Sequence, residues 1–100
     1  MPRFLAASLI FLMCSSALAQ SYDIVIENGR VIDPETGLDA VRNVGIVGSE
    51  IAAISEFPMQ GNLIVDATSH VVAPGFVDLH AHGQNIGDYR MLAAQGVTTA

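Results

Sequence analysis

Two histidines, His80 and His82, stand one residue apart at the end of an apolar run, and Asp78 lies two residues before the first. On a β-strand, side chains alternate between faces. Phe76, Asp78, His80 and, if the strand extends, His82 then share one side, while Val77 and Leu79 take the other. Two neutral imidazoles at this spacing can bind one metal ion together. Asp78 has two roles open to it: orienting a histidine from behind, which the spacing favours, or reaching the metal itself. An isolated His-x-His is as readily a solvated loop pair. The apolar strand before it and the carboxylate on the same face turn the reading toward ligation. Other polar residues carry less. His70 enters a strand from a turn and reads as surface or packing. Asp88 reads as a helix N-cap, Tyr89 as a packed ring and Arg90 as a solvated cation.

These residues need elements to position them. Phe76 to His80 reads as one buried strand, followed by a loop from His82 to Gly87. A short helix is expected from Tyr89 to Gln95, with Tyr89, Leu92 and Ala93 on one face and Gly96 at its C′ position. Val97 to Ala100 starts another β-prone run in which the sequence stops. Strand, loop, helix and strand make a βαβ unit caught part-way, so the chain reads as truncated. If the unit belongs to an α/β barrel, the polar face of the first strand points inward at the catalytic end.

Residues 22–73 read instead as short strands. Asn28-Gly29, between Tyr22–Glu27 and Arg30–Asp33, is a hairpin signal for a type I′ turn. Asp33 to Gly37 is a turn, with Pro34 fixing φ and Gly37 relaxing it. Val44–Val47 and Glu50–Ile54 form a second hairpin around Gly48-Ser49. After a loop over 55–62, Leu63–Asp66 and His70–Ala73 form a third pair. So many short strands suggest a β-sandwich, and one with too few residues to close a large core.

The stretch from Pro74 to His82, PGFVDLHAH, resembles the P-G-F-[IV]-D-x-H-x-H signature of the amidohydrolase superfamily. Tyr22 to Pro34, Ile51 to Ile54, Asp66-Ala67 and Gly96 to Thr99 resemble other parts of the same enzymes, so the likeness spans residues 22–100. The resemblance implies an α/β fold: the start of a (β/α)8 barrel preceded by part of a small β-sandwich that is built from both chain ends. With residues 1–19 read as a signal peptide from their own pattern, the chain divides into that signal (1–19), a partial sandwich (20–73) and a first βα unit (74–100). The resemblance implies that His80 and His82 bind a divalent metal, commonly zinc, which activates water for attack on an amide carbonyl. The catalytic base in such enzymes is a later aspartate. Further histidines and a carboxylated lysine, cysteine or glutamate complete the site. None of these lies in this segment, so it contributes no catalytic residue of its own beyond the two ligands.

Within the superfamily the sequence is most similar to N-acyl-D-amino-acid deacylases and dihydroorotase-like enzymes. Asp33 to Asp39 and His80 to Gln84 lean toward the deacylases. Gly83-Gln84 departs from the acidic residue that often follows His-x-His there. The expected activity is therefore hydrolysis of a small-molecule, non-peptide amide, with an N-acyl-D-amino acid as substrate. The alternatives are a cyclic amidase, dipeptidase or lactonase of the same superfamily, or a secreted β-sandwich module with an incidental His-x-His.

Composition narrows the partners. The 100 residues contain no lysine, and four arginines face ten carboxylates for a net charge of −6. A nucleic-acid surface needs clustered cations, which are absent. Residues 1–19 read as an export signal: Arg3, then the apolar run Phe4–Cys14, then Ala17-Leu18-Ala19 as cleavage site. The run falls short of the roughly 20 residues that span a bilayer, so cleavage should leave no membrane attachment and a periplasmic or secreted product. Cys14, the only cysteine, departs with the signal and leaves no thiol. Mass spectrometry of the exported protein should find Gln20 at its N-terminus, and retention of Met1 would overturn the export reading.

Overall fold

The computed structural model describes residues 20–100, so the export segment lies outside the described residues. Seven strands and one helix follow in order: β1 (Ser21–Asp33), β2 (Leu38–Val47), β3 (Glu50–Ser55), β4 (Gln60–Asp66), β5 (Val71–Val72), β6 (Phe76–Val77), α1 (Ile86–Ala94) and β7 (Val97–Thr99). No helix among the described residues is long and apolar enough to cross a membrane.

β1 carries two β-branched runs, Ile24-Val25-Ile26 and Val31-Ile32, types that fit a pleated, half-buried surface. It pairs antiparallel with β2, and β2 pairs antiparallel with β3. The two turns expected from glycine occur. Gly37 at φ 77° closes Asp33 onto Leu38, and Gly48 at φ 59° occupies the first position of the two-residue link to Glu50. In the first turn, the Asp33 carboxylate accepts from the Thr36 hydroxyl and the Glu35 N–H, which lowers its pKa below the ordinary value. A forked pair between Arg30 and Asp39, 2.7 Å at both contacts, joins β1 to β2; it raises the arginine pKa and lowers that of the aspartate. Both groups are exposed, so the pair adds little stability.

Asn28-Gly29 does not make a hairpin. β1 runs straight through it, and the register against β2 shifts between Ile26 and Gly29. Glu27 and Asn28 together oppose Asn43, which is a β-bulge. A type I′ turn needs positive φ at both central residues, but only Asn28 (φ 60°) has it. The Asn28 N–H donates to Asn43 Oδ1 at 2.9 Å, and Asn43 Nδ2 donates to the Phe57 carbonyl at 2.9 Å. One buried amide thus satisfies a main-chain group beside the bulge and anchors the 56–59 connection.

The third pair also differs from expectation. β4 and β5 do not pair with each other; each runs parallel to β1, β4 beside its first half and β5 beside Arg30 and Val31. They behave as one strand interrupted opposite the bulge. Across the gap, Ala67 N–H donates to Glu27 and Arg30 N–H to His70. Gly29 permits this approach, since a Cβ there would overlap Val72 and press on Ala67. The Asp66 carboxylate accepts from the Thr68 hydroxyl and N–H, which lowers its pKa.

The sheet order is β3-β2-β1-β4, with β5 also on β1. Val25, fully buried, shares a face with its partner Gly45 and with Asn43. Tyr22 and Met59 fill the space over Gly45, where a Cβ would come within 2.6 Å of the tyrosine ring. The opposite face carries in-register Ile24, Ile46 and Ile51, then Ile26, Val44 and Ile54. Val44 on this face is buried, and the β3 edge is open, with Ile51 66% exposed.

The remaining residues form a βαβ unit with β6 and β7 parallel. No barrel is formed among the described residues. Phe76 to His80 is not one buried strand: β6 is two residues long, and Leu79 is 95% exposed. Beyond Val77 the Asp78 carboxylate accepts the His80 N–H at 2.9 Å, a local bond that competes with ladder pairing. Gly75 is required where β6 meets β7, because a Cβ there would overlap the Thr98 side chain.

Two substitutions test this account in the natural polypeptide expressed whole. Asn43→Ala should lower stability by about 0.5–1.5 kcal/mol per lost bond, the net worth of an intramolecular hydrogen bond; a denaturant midpoint equal to wild type would contradict it. Gly75→Ala should cost about 1–3 kcal/mol through overpacking. Faster hydrogen exchange at the Phe76 and Asp78 amides would locate that loss in the β6–β7 pair, and unchanged protection would refute it.

Candidate metal centre

The strand end that carries the histidines is held by main-chain bonds. Phe76 N–H donates to Gly96 and Asp78 N–H to Thr99, both at 2.8 Å. Asp78 thus ties the segment to β7 through its amide and ties His80 to itself through its carboxylate. It orients His80 through the main chain; its side-chain bond goes to that amide and not to an imidazole.

His80 and His82 come together. Their Nε2 atoms lie 2.6 Å apart, with ring centroids 4.6 Å apart and planes tilted by 57°. Such a contact requires one ring to present Nε2–H to the lone pair of the other. A tetrahedral ion held at about 2.0–2.1 Å by both nitrogens would set them about 3.3 Å apart, a small opening from this geometry. The donor chemistry therefore fits a divalent metal, and both rings are exposed. Two donors are fewer than the three protein groups that even an open catalytic site uses. Among the described residues no group of three or more His, Cys, Asp or Glu could hold an ion.

After His82 the chain is secured by α1. The helix begins at Ile86 with Asn85 as N-cap, three residues before the cap expected at Asp88. Asn85 Oδ1 accepts from the Gly87 and Asp88 amides, and Asp88 accepts in return from the Asn85 amide. The reason is a reciprocal capping box, whose Asn-x-x-Asp spacing is present in the sequence and is the signal that would have found it. Gly96, at φ 87°, ends the helix as expected. Tyr89, Leu92 and Ala93 line one concavity with β7. The Tyr89 hydroxyl also donates to the Gly83 carbonyl at 2.9 Å, a contact that periodicity did not reveal. His70 stands apart from this cluster in its hydrogen bonding: its Nδ1 lies 2.8 Å from the Thr68 carbonyl.

Comparison with known proteins places these residues among relatives. No family model matches the chain. No solved structure matches it either. Curated proteins do. The chain is 42% identical over 81 residues to a dihydroorotase of Anaeromyxobacter sp., covering 77% of this chain and 18% of the relative. It is 46% identical over 65 residues to a dihydroorotase of Streptococcus pneumoniae, covering 64% and 15%. It is 47% identical over 60 residues to that of Solibacter usitatus, covering 59% and 14%. The chain thus spans less than a fifth of the length of these three relatives. Their likeness supports the amidohydrolase superfamily, and does not single out the D-aminoacylases within it.

Proposed function

We propose that this chain supplies two metal-ligating side chains, His80 and His82, to an exported metal-dependent amidohydrolase that acts on a cyclic amide. The observation that carries the reading is the convergence of the two Nε2 atoms at 2.6 Å directly after the apolar Phe76-Val77 pair. The dihydroorotase name of the relatives favours a cyclic amide as substrate class. N-acyl-D-amino-acid deacylation is the second reading, favoured by the resemblance of Asp33 to Asp39 and of His80 to Gln84 to those enzymes.

In this reading His80 and His82 hold a divalent ion, with zinc suited to imidazole donors. When bound, the ion supplies Lewis-acid polarisation of the amide carbonyl and activation of water. The chain's own residues do the positioning. Asp78 fixes the main chain at His80, and α1 fixes it after His82. With two donors and no further metal cluster among the described residues, these 100 residues alone are expected to bind metal weakly and to be inactive.

The test uses the natural polypeptide expressed whole, with elemental analysis and turnover of dihydroorotate and of N-acetyl-D-amino acids. His80→Ala and His82→Ala should each reduce metal content and activity by more than the roughly 10–100-fold that loss of an outer partner costs. Asp78→Asn should do less, since an amide oxygen can still accept the His80 N–H. Full metal and full turnover in both histidine variants would overturn the assignment. Turnover of the acylated D-amino acids alone would select the second reading.

A further inference from the structure

One peptide unit after His82 is gripped at both ends by neighbouring residues of α1. The Gly83 carbonyl accepts from the Tyr89 hydroxyl at 2.9 Å. The amide of the same peptide unit, Gln84 N–H, donates to Asp88 Oδ2 at 2.9 Å. The Tyr89 ring lies over Gly83 so closely that a Cβ at that position would come within 2.6 Å of it. Core packing does not account for this placement, because Tyr89 is 50% exposed and α1 buries no residue completely. Helix capping does not account for it either. The box is closed between Asn85 and Asp88 without Tyr89.

We propose that Tyr89, with Asp88 beside it, is a positioning residue for His82. A peptide plane held at its carbonyl and its amide loses its freedom to rotate. The main chain is therefore anchored one residue after His82, which narrows the directions from which the imidazole is presented. On the other flank His80 is fixed through Asp78 and its bond to Thr99. The two rings meet because the chain is pinned before the first and after the second. This role rests on the metal reading of the histidine pair.

The experiment titrates the metal-free natural polypeptide, expressed whole, with Co2+ and follows the visible absorption of the bound ion. Tyr89→Phe removes one hydroxyl and keeps the ring over Gly83. It should weaken Co2+ binding about tenfold, within the range for lost outer partners, and leave the thermal midpoint of the metal-free protein unchanged. Asp88→Asn, which retains an oxygen acceptor, should stay closer to wild type. Asn85→Ala weakens the helix cap and removes one bond to Asp88 Oδ2, but leaves the Tyr89 hydroxyl on the Gly83 carbonyl, and should bind Co2+ more tightly than Tyr89→Phe. Wild-type affinity in Tyr89→Phe, or equal losses in Tyr89→Phe and Asn85→Ala, would overturn the positioning role. His82→Ala separates the two levels. If it too keeps wild-type affinity, the metal reading fails. If it abolishes tight binding while Tyr89→Phe does not, only the inference fails.

Discussion

The histidine pair hangs on the hydrogen bond from the Asp78 amide to the Thr99 carbonyl. It lies at the point where ladder pairing stops and local bonding takes over. On one side of it, β6 and β7 share a parallel register. On the other, the same residue turns its carboxylate back to the His80 amide and ends the strand. A side chain that satisfies a nearby main-chain donor offers the backbone an alternative to the sheet. Here that competition has a use, since a strand carried on to His82 would alternate its side chains at fixed height, whereas an irregular segment can bring two rings together.

The five-stranded sheet solves a related problem with its bulge. An extra residue in β1 leaves the Asn28 amide without a ladder partner, and that donor needs another acceptor. Asn43 accepts from it and spends its own donor on Phe57, so no buried side-chain nitrogen or oxygen is left without a partner among the described residues. The consequence reaches β4 and β5, whose interruption falls opposite the bulge. One face then holds Val25 and Asn43, while the isoleucine-rich face buries Val31 and Val44 and leaves Ile51 and Ile54 exposed at a hollow of about 280 Å³. An exposed apolar surface of this kind marks a packing surface.

Signals that depend on one residue's conformational cost were legible in the sequence. Gly37, Gly48 and Gly96 all take positive φ where turns or a helix end were expected, because no other residue adopts that region as cheaply. The proximity of His80 and His82 was legible as well, by their spacing. What was not legible depended on partners distant in sequence. Asn28 adopts the left-handed conformation that a hairpin would use, yet the identity of the turn was decided by Asn43, fifteen residues away. The pairing of β4 and β5 was decided by β1, which offers both an edge that local hydrophobic pattern cannot name. The strand read from Phe76 to His80 is shorter for another reason: an apolar run specifies burial only if something covers it, and among the described residues Phe76 and Val77 stay exposed. The helix start was missed although its capping box was visible, because Asp88 alone satisfies the N-cap preference and the earlier Asn85 satisfies it with a reciprocal partner.

Rigidity and adjustability are divided at the candidate centre. The main chain is held before His80 and after His82, so the Cα positions are set by bonds that involve no metal. The rings themselves are exposed and turn about side-chain torsions alone. Opening the 2.6 Å contact to the roughly 3.3 Å that a shared tetrahedral ion demands needs a displacement of under 1 Å. Side-chain rotation can supply that without breaking any of the main-chain bonds. In the proposed reading an ion would therefore meet two donors whose approach is already organised, and the exposure of both rings would leave one side free for further donors.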